Sequence, residues 1–416
     1  MRRTSSHSLK FLNKGKRRYV RDIIEEYRRV TQVIIDDYWA GKVEGFNPAK
    51  NELELLKFGQ STDCDSWFSS YLMNRAANQA VGMCAAATEK RRKQLWQLAE
   101  LQRAGKCTKR LQSKIDRQPL LKPSAAKINP VLSGNVKDFD ESNSFTFARI
   151  GYLKPYVKGT GFGSNDLILP VKETRASRKW LARGVRQNTV TLSDTHIHLS
   201  YKVSKAERSG TQIVGADQGI ATCLSLSNGV TTTQCPDGHT LSSICSKIAR
   251  KKPGSKAAQR AREHRKNYIN WSLNQIDWAD TKEVRLEKLS NIGHGVRQPR
   301  FLKAWAYTLI REKLMRLGEE EGFRLVQVSN SFRSQRCSNC GWVRKANRKG
   351  KTFKCSECGH KADADLNAAS NLELDLMEVP LRVRQKQINR KGFWWLDSGI
   401  FDSSGQELAV PATNKT

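Results

Sequence analysis

No apolar run in the sequence approaches the ~20 residues needed to span the hydrocarbon of a bilayer, and the mean hydropathy is low, which argues against a membrane-spanning role. The opening residues, Met1-Arg2-Arg3 followed by polar side chains, lack the continuous apolar core of a secretory signal. A cytoplasmic or nucleoid location is expected. A disulfide framework is missing too. Cys64, Cys84, Cys107, Cys223, Cys235 and Cys245 are scattered and read as reduced thiols. Cys235, His239 and Cys245 are spaced too loosely to read as a metal site. Acid is scarce as well: 40 Asp and Glu stand against 73 Lys and Arg, a formal net charge of +33. A surplus of that sign and size favours a polyanionic partner, nucleic acid before a bilayer surface. Internal repeats and long low-complexity tracts are also absent, and 416 residues can bury a sizeable core in two or three domains.

Periodicity organises what is there. His7 to Leu12 reads as a short strand, and apolar residues from Val20 to Tyr38 recur at helical spacing over Arg17 to Trp39, stopping before Gly41. A second long helix is predicted from about Ser66 to Leu101. Pro119, Pro123 and Pro130 then punctuate the chain. Ser144 to Leu153, Leu167 to Val171, Thr189 to Leu192 and His196 to Val203 alternate like strands of a small β-domain. From Thr211 onward, strands are predicted at Gln212 to Ala216, Ala221 to Ser227 and Thr231 to Gln234, three in antiparallel succession. A basic helical region over Leu241 to Trp278 follows, then a strand at Glu283 to Leu286 and a helix near Phe301 to Glu320. A strand at Arg324 to Val328 and a closing helix from about Ala364 complete the order. Three strands, helix, strand, helix, strand, helix is the order of the ribonuclease H architecture.

Two motif sets carry chemistry. Cys337-x-x-Cys340, fourteen intervening residues and Cys355-x-x-Cys358 present four thiolates as two knuckles, the spacing of a zinc ribbon. Between Ser331 and Lys361 lie nine Lys or Arg and one acid, so Arg333, Arg336, Arg344, Arg348, Lys349 and Lys351 are expected to face a phosphate backbone. The second set is Asp217 in Gly215-Ala216-Asp217-Gln218-Gly219, Glu287 in Leu286-Glu287-Lys288-Leu289, and Asp365 in Ala364-Asp365-Leu366-Asn367-Ala368-Ala369. In the predicted order these acids meet at one sheet edge. Carboxylates from different elements can hold divalent cations about 4 Å apart, one activating water and one steadying the leaving oxygen of a phosphodiester. Magnesium, or manganese, suits hard oxygen ligands. Asp363 competes with Asp365, which is favoured because Leu366 and Ala368-Ala369 continue a packable helix. The basic stretch Lys247 to Lys266 is expected to line a groove along a nucleic acid. Phe393-Trp394-Trp395 suits base stacking or anchoring of the tail equally well.

GADQG, VRLEKLSNI, FLKAWAY, the segment from SFRSQRCSNCG through KCSECGH, and ADADLNAASNL together resemble the RuvC-plus-zinc-ribbon half of transposon-encoded TnpB nucleases and of compact type V CRISPR effectors. The resemblance spans about Gln212 to Leu372. It implies an α+β multidomain protein: an RNase H-like RuvC domain with an inserted zinc ribbon, preceded by a helical recognition insertion and a small β-barrel-like wedge domain. The domains it implies are a wedge strand at 1–14, recognition helices at 15–130, wedge at 131–205 and nuclease at 206–330. The zinc ribbon follows at 331–361, the last nuclease part at 362–375 and a tail at 376–416. By matching motif, Asp217, Glu287 and Asp365 become metal-binding catalytic acids and Cys337, Cys340, Cys355 and Cys358 zinc ligands. Arg348 matches an arginine near the cutting site, and Lys288 stands where the family usually has Asp or Asn.

The implied activity is RNA-guided DNA cleavage at a single RuvC site with Mg2+ (or Mn2+) and Zn2+. The implied partners are a guide RNA and double-stranded DNA with its displaced single strand, bound by a monomer or a homodimer on one guide. A prokaryotic or phage-encoded protein of the cytoplasm is implied too. In this class guide pairing reads sequence while the protein senses backbone shape and a flanking motif. The alternatives are an RNA-guided DNA-binding repressor and a zinc-ribbon transposase.

Overall fold

A computed structural model of the chain describes residues 1–40, 64–105, 107–117, 120–133, 146–150, 167–289, 298–385 and 387–410. The predicted breakers Gly41 and Pro119 lie outside the described residues, as do the ends of the Ser144 to Leu153 strand and Asn291-Ile292 of the quoted motif. The chain forms two compact units, Met1–Ser204 and Lys205–Thr416. Among the described residues no helix is long and apolar enough to cross a membrane.

The first unit runs β1 (Arg2–Ser8), α1 (Lys14–Trp39), α2 (Ser70–Arg103), α3 (Lys109–Arg117), β2 (Val131–Ser133), β3 (Thr146–Ile150), β4 (Leu167–Val171), α4 (Arg175–Leu181), β5 (Gly184–Leu192) and β6 (His196–Val203). Asn13 caps α1 by accepting from the Lys16 amide at 2.8 Å. The stripe Val20, Ile23, Ile24, Tyr27, Val30, Ile34 and Ile35 is buried against the small face Ala76, Ala77, Ala80 and Cys84 of α2. Small residues let the two helices approach closely. Strands β1, β6, β5 and β2 form an antiparallel sheet in that order, and β3 pairs with β4 in a separate ladder. The expected barrel therefore does not close among the described residues.

The first strand is displaced from its predicted position. It occupies Arg2–Ser8, with His7 and Ser8 at its end, because its inward positions are polar. Ser5 and His7 are buried and satisfy one another at 2.7 Å, with the Tyr201 hydroxyl 2.9 Å from Ser5 Oγ and the Lys172 carbonyl 2.9 Å from His7 Nδ1. A hydrophobic alternation test misses such a strand.

The second unit runs β7 (Gln212–Asp217), β8 (Ser225–Leu226), α5 (Leu241–Arg250), α6 (Lys256–Asn274), β9 (Thr281–Glu287), α7 (Arg300–Lys303), α8 (Tyr307–Glu321), β10 (Arg324–Val328), β11 (Trp342–Val343), β12 (Arg348–Lys349), β13 (Thr352–Lys354), β14 (Lys361–Asp363), α9 (Ala364–Glu373), α10 (Leu381–Gln385), β15 (Phe393–Leu396), β16 (Gly399–Asp402) and β17 (Glu407–Ala409). The central sheet has the order β10-β9-β7-β8. β7 is parallel to β9 and antiparallel to β8, and β9 is parallel to β10.

Three predictions need correction here. The segment Thr231 to Gln234 contributes one isolated bridge, Ser225 to Thr231, in place of a third antiparallel strand. The basic helix over Leu241 to Trp278 is two helices, since Pro253 lacks the amide that would continue the first and Ser255 caps the second by accepting from Ala258 N at 3.1 Å. The helix near Phe301 to Glu320 likewise breaks at Ala304 to Ala306, and Gly322 in the left-handed region ends its longer part.

Strand alternation assigns the two sheet faces. Val214 and Ala216 of β7, with Val284 and Leu286 of β9, join the core made with α5, α6 and α8. Gly215, Asp217, Arg285 and Glu287 therefore share the opposite face, where α9 packs. Gly215 is there for close approach: a Cβ built on it would lie 1.9 Å from the Ala369 carbonyl oxygen and 2.5 Å from the Glu373 amide nitrogen. The Arg285 guanidinium clasps the far end of α9, donating to the Glu373 carbonyl at 2.7 Å.

The tail folds as well. Phe393 and Trp395 are fully buried, and β15, β16 and β17 continue antiparallel from β11 of the cysteine module. Of the two readings open for Phe393-Trp394-Trp395, anchoring holds for Phe393 and Trp395.

Candidate metal centres

Asp217 is the last residue of β7 and Glu287 the last of β9. Their neighbours Ala216 and Leu286 are paired, so the two acids leave adjacent parallel strands side by side. The Gln218 amide donates to Glu287 Oε1 at 3.3 Å, tying one strand end to the other acid. Asp365 enters from the first turn of α9 and is buried. Asp363 is the N-cap of that helix, its Oδ1 accepting from the amides of Asp365 at 2.8 Å and Leu366 at 3.1 Å. One carboxylate is thus spent on capping, and Asp365 faces the other acids.

Electrostatics ties the three together. Burial, then the charges of Glu287 and Asp365, push the Asp217 carboxyl well above its ordinary range, against the pull of Arg348 and Lys351. Burial raises Glu287 to about 7, with the Gln218 amide and Arg348 opposing and Asp365 adding to the rise. Two cations answer this excess of acid. Arg348 Nη2 donates to Asp365 Oδ1 at 3.0 Å, and the Lys351 ammonium pairs with Asp365 Oδ2. Crowded acids that resist ionising together, on rigid strand and helix ends, are a donor set that divalent cations would satisfy.

The second centre is the four-cysteine module. Cys337, Cys340, Cys355 and Cys358 bring their sulfurs within 4.8 Å of one another, and no other such group of three or more occurs among the described residues. Sγ of Cys337 lies 3.7 Å from that of Cys358, and Cys340 lies 3.7 Å from Cys355. A tetrahedron of Zn–S bonds near 2.3 Å has edges of about 3.8 Å, so zinc fits the set. Gly341 and Gly359, each following a Cys-x-x-Cys, take φ of +82° and +73°, which let the knuckles turn back. A hydrogen bond from the His360 backbone holds the Cys358 thiol down to about 6, while burial raises Cys337 and Cys340. Cys245, considered above as part of a looser site, is buried with its thiol 3.4 Å from the Ala304 carbonyl.

Two arginines expected on a phosphate backbone are elsewhere. Arg333 and Arg336 are 4% and 5% exposed. Arg333 lies over the Trp395 ring at 5.3 Å and donates to Ser329 O at 2.9 Å and to Asn371 O. Arg336 donates to Trp395 O at 2.8 Å and to Asn371 Oδ1 at 2.6 Å. They join the cysteine module to α9 and to the tail sheet. By contrast Lys247, Arg250, Lys252, Lys256, Arg260, Arg262 and Lys266 are exposed on α5, α6 and the turn between them.

Sequence reasoning passed over Asn367 and Asn371, which are 2% and 0% exposed and anchor the first knuckle. Asn367 Oδ1 accepts from Ser338 N at 3.0 Å while its Nδ2 donates to Arg336 O at 2.8 Å. Asn371 Nδ2 donates to Arg336 O at 2.7 Å and Arg333 O at 3.1 Å. Their i, i+4 spacing in Asn367-Ala368-Ala369-Ser370-Asn371 was the available signal.

Residues 307–372 match the family described as Cas12f1-like, TNB domain. The match takes in the four cysteines, Arg348, Lys351 and Asp365, and leaves out Asp217 and Glu287. Over 92 residues the chain is 38% identical to a CRISPR-associated endodeoxyribonuclease Cas12f1 of Sulfoacidibacillus thermotolerans, covering 22% of this chain and 21% of that protein. Over 95 residues it is 34% identical to a TnpB-like protein of Aquifex aeolicus (strain VF5), covering 21% of this chain and 31% of that one. The matched segments thus span less than a third of either relative. In fold, a chain of a cryo-EM Cas12f1–sgRNA–target DNA complex aligns with a TM-score of 0.51 at 15% identity, covering 86% of this chain and 82% of that one. The sequence likeness is thus to Cas12f1 and TnpB-like proteins over about a fifth of the chain, and the likeness to the Cas12f1 chain over most of its length is one of fold.

Proposed function

We propose that this chain is an RNA-guided DNA endonuclease that hydrolyses phosphodiesters at one RuvC-type, ribonuclease H-like site. The observation that carries the reading is the meeting of Asp217, Glu287 and Asp365 from two adjacent strand ends and one helix start, on one face of the β10-β9-β7-β8 sheet. That strand order and its parallel and antiparallel senses support the ribonuclease H-like assignment. So does the insertion of the four-cysteine module between β10 and α9.

In this reading Asp217, Glu287 and Asp365 hold magnesium or manganese. Such ions, when bound, would supply neutralisation of phosphate charge and an activated water. The chain's own residues do the rest. Gln218 N orients Glu287, Asp363 fixes the first turn of α9, and Gly215 lets that helix lie against β7 so that Asp365 reaches the strand ends. Arg348 and Lys351, paired with Asp365, are cations at the site that would steady negative charge on a substrate phosphate. Cys337, Cys340, Cys355 and Cys358 hold zinc. The exposed basic residues of α5 and α6 contact the nucleic-acid backbone. A ~20-bp guide–target heteroduplex carries about 40 phosphates, commensurate with the net charge of +33.

The test is substitution in the RNA-loaded protein. Asp217→Ala, Glu287→Ala and Asp365→Ala should each abolish DNA cleavage with target binding retained, and Arg348→Ala should slow cleavage more than it weakens binding. Near-normal cutting by any of the three acid variants refutes the site. Target binding without cutting by the wild-type protein, under magnesium or manganese, would favour the repressor.

A further inference from the structure

Helix α9 carries Asp365 at one end and, two and six residues on, Asn367 and Asn371 on the side that meets the first zinc knuckle. Both amides reach the backbone or side chains around Cys337. Asn367 brackets the knuckle, accepting from Ser338 N and donating to Arg336 O. Asn371 donates to the carbonyls of Arg333, Arg336 and Asn367, and accepts from the buried Arg336 guanidinium. The same module returns to the helix start through Arg348 and Lys351 on Asp365, and through the Ala364 amide, which donates to Lys351 O at 2.9 Å. Helix and module therefore touch at two levels, one at the knuckle and one at the acid. Nothing in the metal chemistry of either centre requires the amides to be there. Apolar side chains in their place would leave the buried Arg336 guanidinium and the Ser338 amide short of acceptors, so the amides belong to the knuckle's own hydrogen bonding.

We propose that Asn367 and Asn371, with Arg336, are positioning residues that set the seat of Asp365 from the zinc knuckle, so that zinc occupancy and divalent-metal binding at the acid site are coupled. The inference rests on the nuclease reading above and assigns the four-cysteine module a role beyond contact with target nucleic acid. When zinc holds the knuckle closed, the Ser338 amide and the Arg333 and Arg336 carbonyls stand at fixed points, and the two amides lock the rotation and axial position of α9 on them. Asp365 lies two residues before Asn367, within the same rigid helix. Loss of the lock leaves α9 held to the sheet by Gly215 and Arg285 but free to shift at its N-terminal end. Coupling of this kind is reciprocal: what zinc does for magnesium, magnesium does for zinc.

The experiment compares wild type with Asn367→Ala and Asn367→Asp, each loaded with the RNA that copurifies, on duplex DNA complementary to that RNA. Asn371→Ala leaves Arg336 buried without its side-chain acceptor and is at risk of not folding, so the Asn367 variants carry the test. Expected are one zinc per chain and unchanged DNA affinity, with the magnesium concentration for half-maximal cleavage raised about fivefold or more. Asn367→Asp keeps the acceptor for Ser338 N and should recover part of the shift. As a readout independent of cleavage, magnesium should slow zinc release to a zinc-selective chromogenic chelator in wild type and do so less in Asn367→Ala. Slower cutting at unchanged magnesium half-saturation, or zinc release indifferent to magnesium in both proteins, overturns the coupling and leaves the nuclease reading standing. A wild-type complex that binds but never cuts overturns the nuclease reading itself, and the proposal with it.

Discussion

Replacing Gly215 by alanine adds one methyl group at the point where β7 and α9 touch backbone to backbone. The new Cβ would fall 1.9 Å from the Ala369 carbonyl oxygen, 2.5 Å from the Glu373 nitrogen and 3.0 Å from the Ala369 carbonyl carbon. Carbon and carbonyl oxygen ordinarily meet no closer than about 3.3 Å, so strand and helix must part by roughly 1.4 Å. None of the opposing atoms belongs to a side chain that could swing away. Overpacking of this kind costs ~1–3 kcal/mol, and backbone on both sides puts Gly215→Ala at the upper end. For a unit of this size ~3 kcal/mol lowers Tm by roughly 6–12 °C. The effect on cleavage should be larger, because the parted elements carry Asp217 and Asp365. A misplacement near 1 Å can cost about a hundredfold in rate. The assay is guide-dependent DNA cleavage at saturating magnesium, at a temperature where the variant stays folded, beside DNA binding and a melting curve. Gly82→Ala is the control, since its Cβ meets nothing within 4 Å on an exposed helix position, and it should be neutral or stabilise by ~0.5–1 kcal/mol. Cleavage by Gly215→Ala within about threefold of wild type would refute the close-approach argument.

Asp363→Ala removes the acceptor for two α9 amides and should cost ~1 kcal/mol of stability while leaving cleavage within a few-fold; loss of cleavage in a folded variant would give Asp363 the role assigned to Asp365. Elemental analysis should find one zinc per chain, lost in Cys355→Ser together with the fold of the module, because structural thiolate sites contribute ~10–16 kcal/mol of apparent binding energy; freshly folded protein without zinc would refute the site. His7 is held below its ordinary value by burial, which outweighs the Lys172 carbonyl and Glu173, with Arg186 adding to the depression. An unfolded histidine titrates near 6.5, so below that pH the unfolded chain takes up a proton that folded His7 does not. Stability therefore falls as pH drops from about 6.5 and levels off once folded His7 is protonated. Urea midpoints from pH 7.5 to 5 should show this loss in wild type and less of it in His7→Gln; parallel losses in both would contradict it.

The elements whose apolar residues repeat at helical or strand period were legible. The strands Leu167–Val171, His196–Val203 and Arg324–Val328 stand at their predicted bounds, and the helix Lys14–Trp39 begins three residues early. Periodicity failed where the inward face is polar, as at Ser5 and His7, and where a side chain turns the backbone, as at Ser255. At the site, the four cysteines declared themselves by spacing, because zinc geometry constrains sequence locally. The meeting of Asp217 and Glu287 depended on predicted strands being neighbours, and Ala216 does pair with Leu286. Charge was the least legible signal. Arg333 and Arg336 look like their neighbours in sequence, yet carbonyls of α9 and the tail sheet accept from them in the interior. Nor could the role of Gly215 be separated from that of a turn glycine, since only the approach of α9 distinguishes them. The fold of the tail went unread because its partner strand, Trp342–Val343, is two residues long.

The most direct test of the central claim is cleavage of duplex DNA by the purified chain with RNA and divalent metal supplied separately and together. The acids cannot activate water on a phosphodiester without cations to neutralise them, and a chain of net charge +33 should need an anionic scaffold. The protein with magnesium alone should be inert. Adding the RNA recovered from its native locus should produce cutting only at DNA complementary to that RNA, and chelation should stop it. Site-specific cleavage by RNA-free protein would contradict the account and favour a transposase.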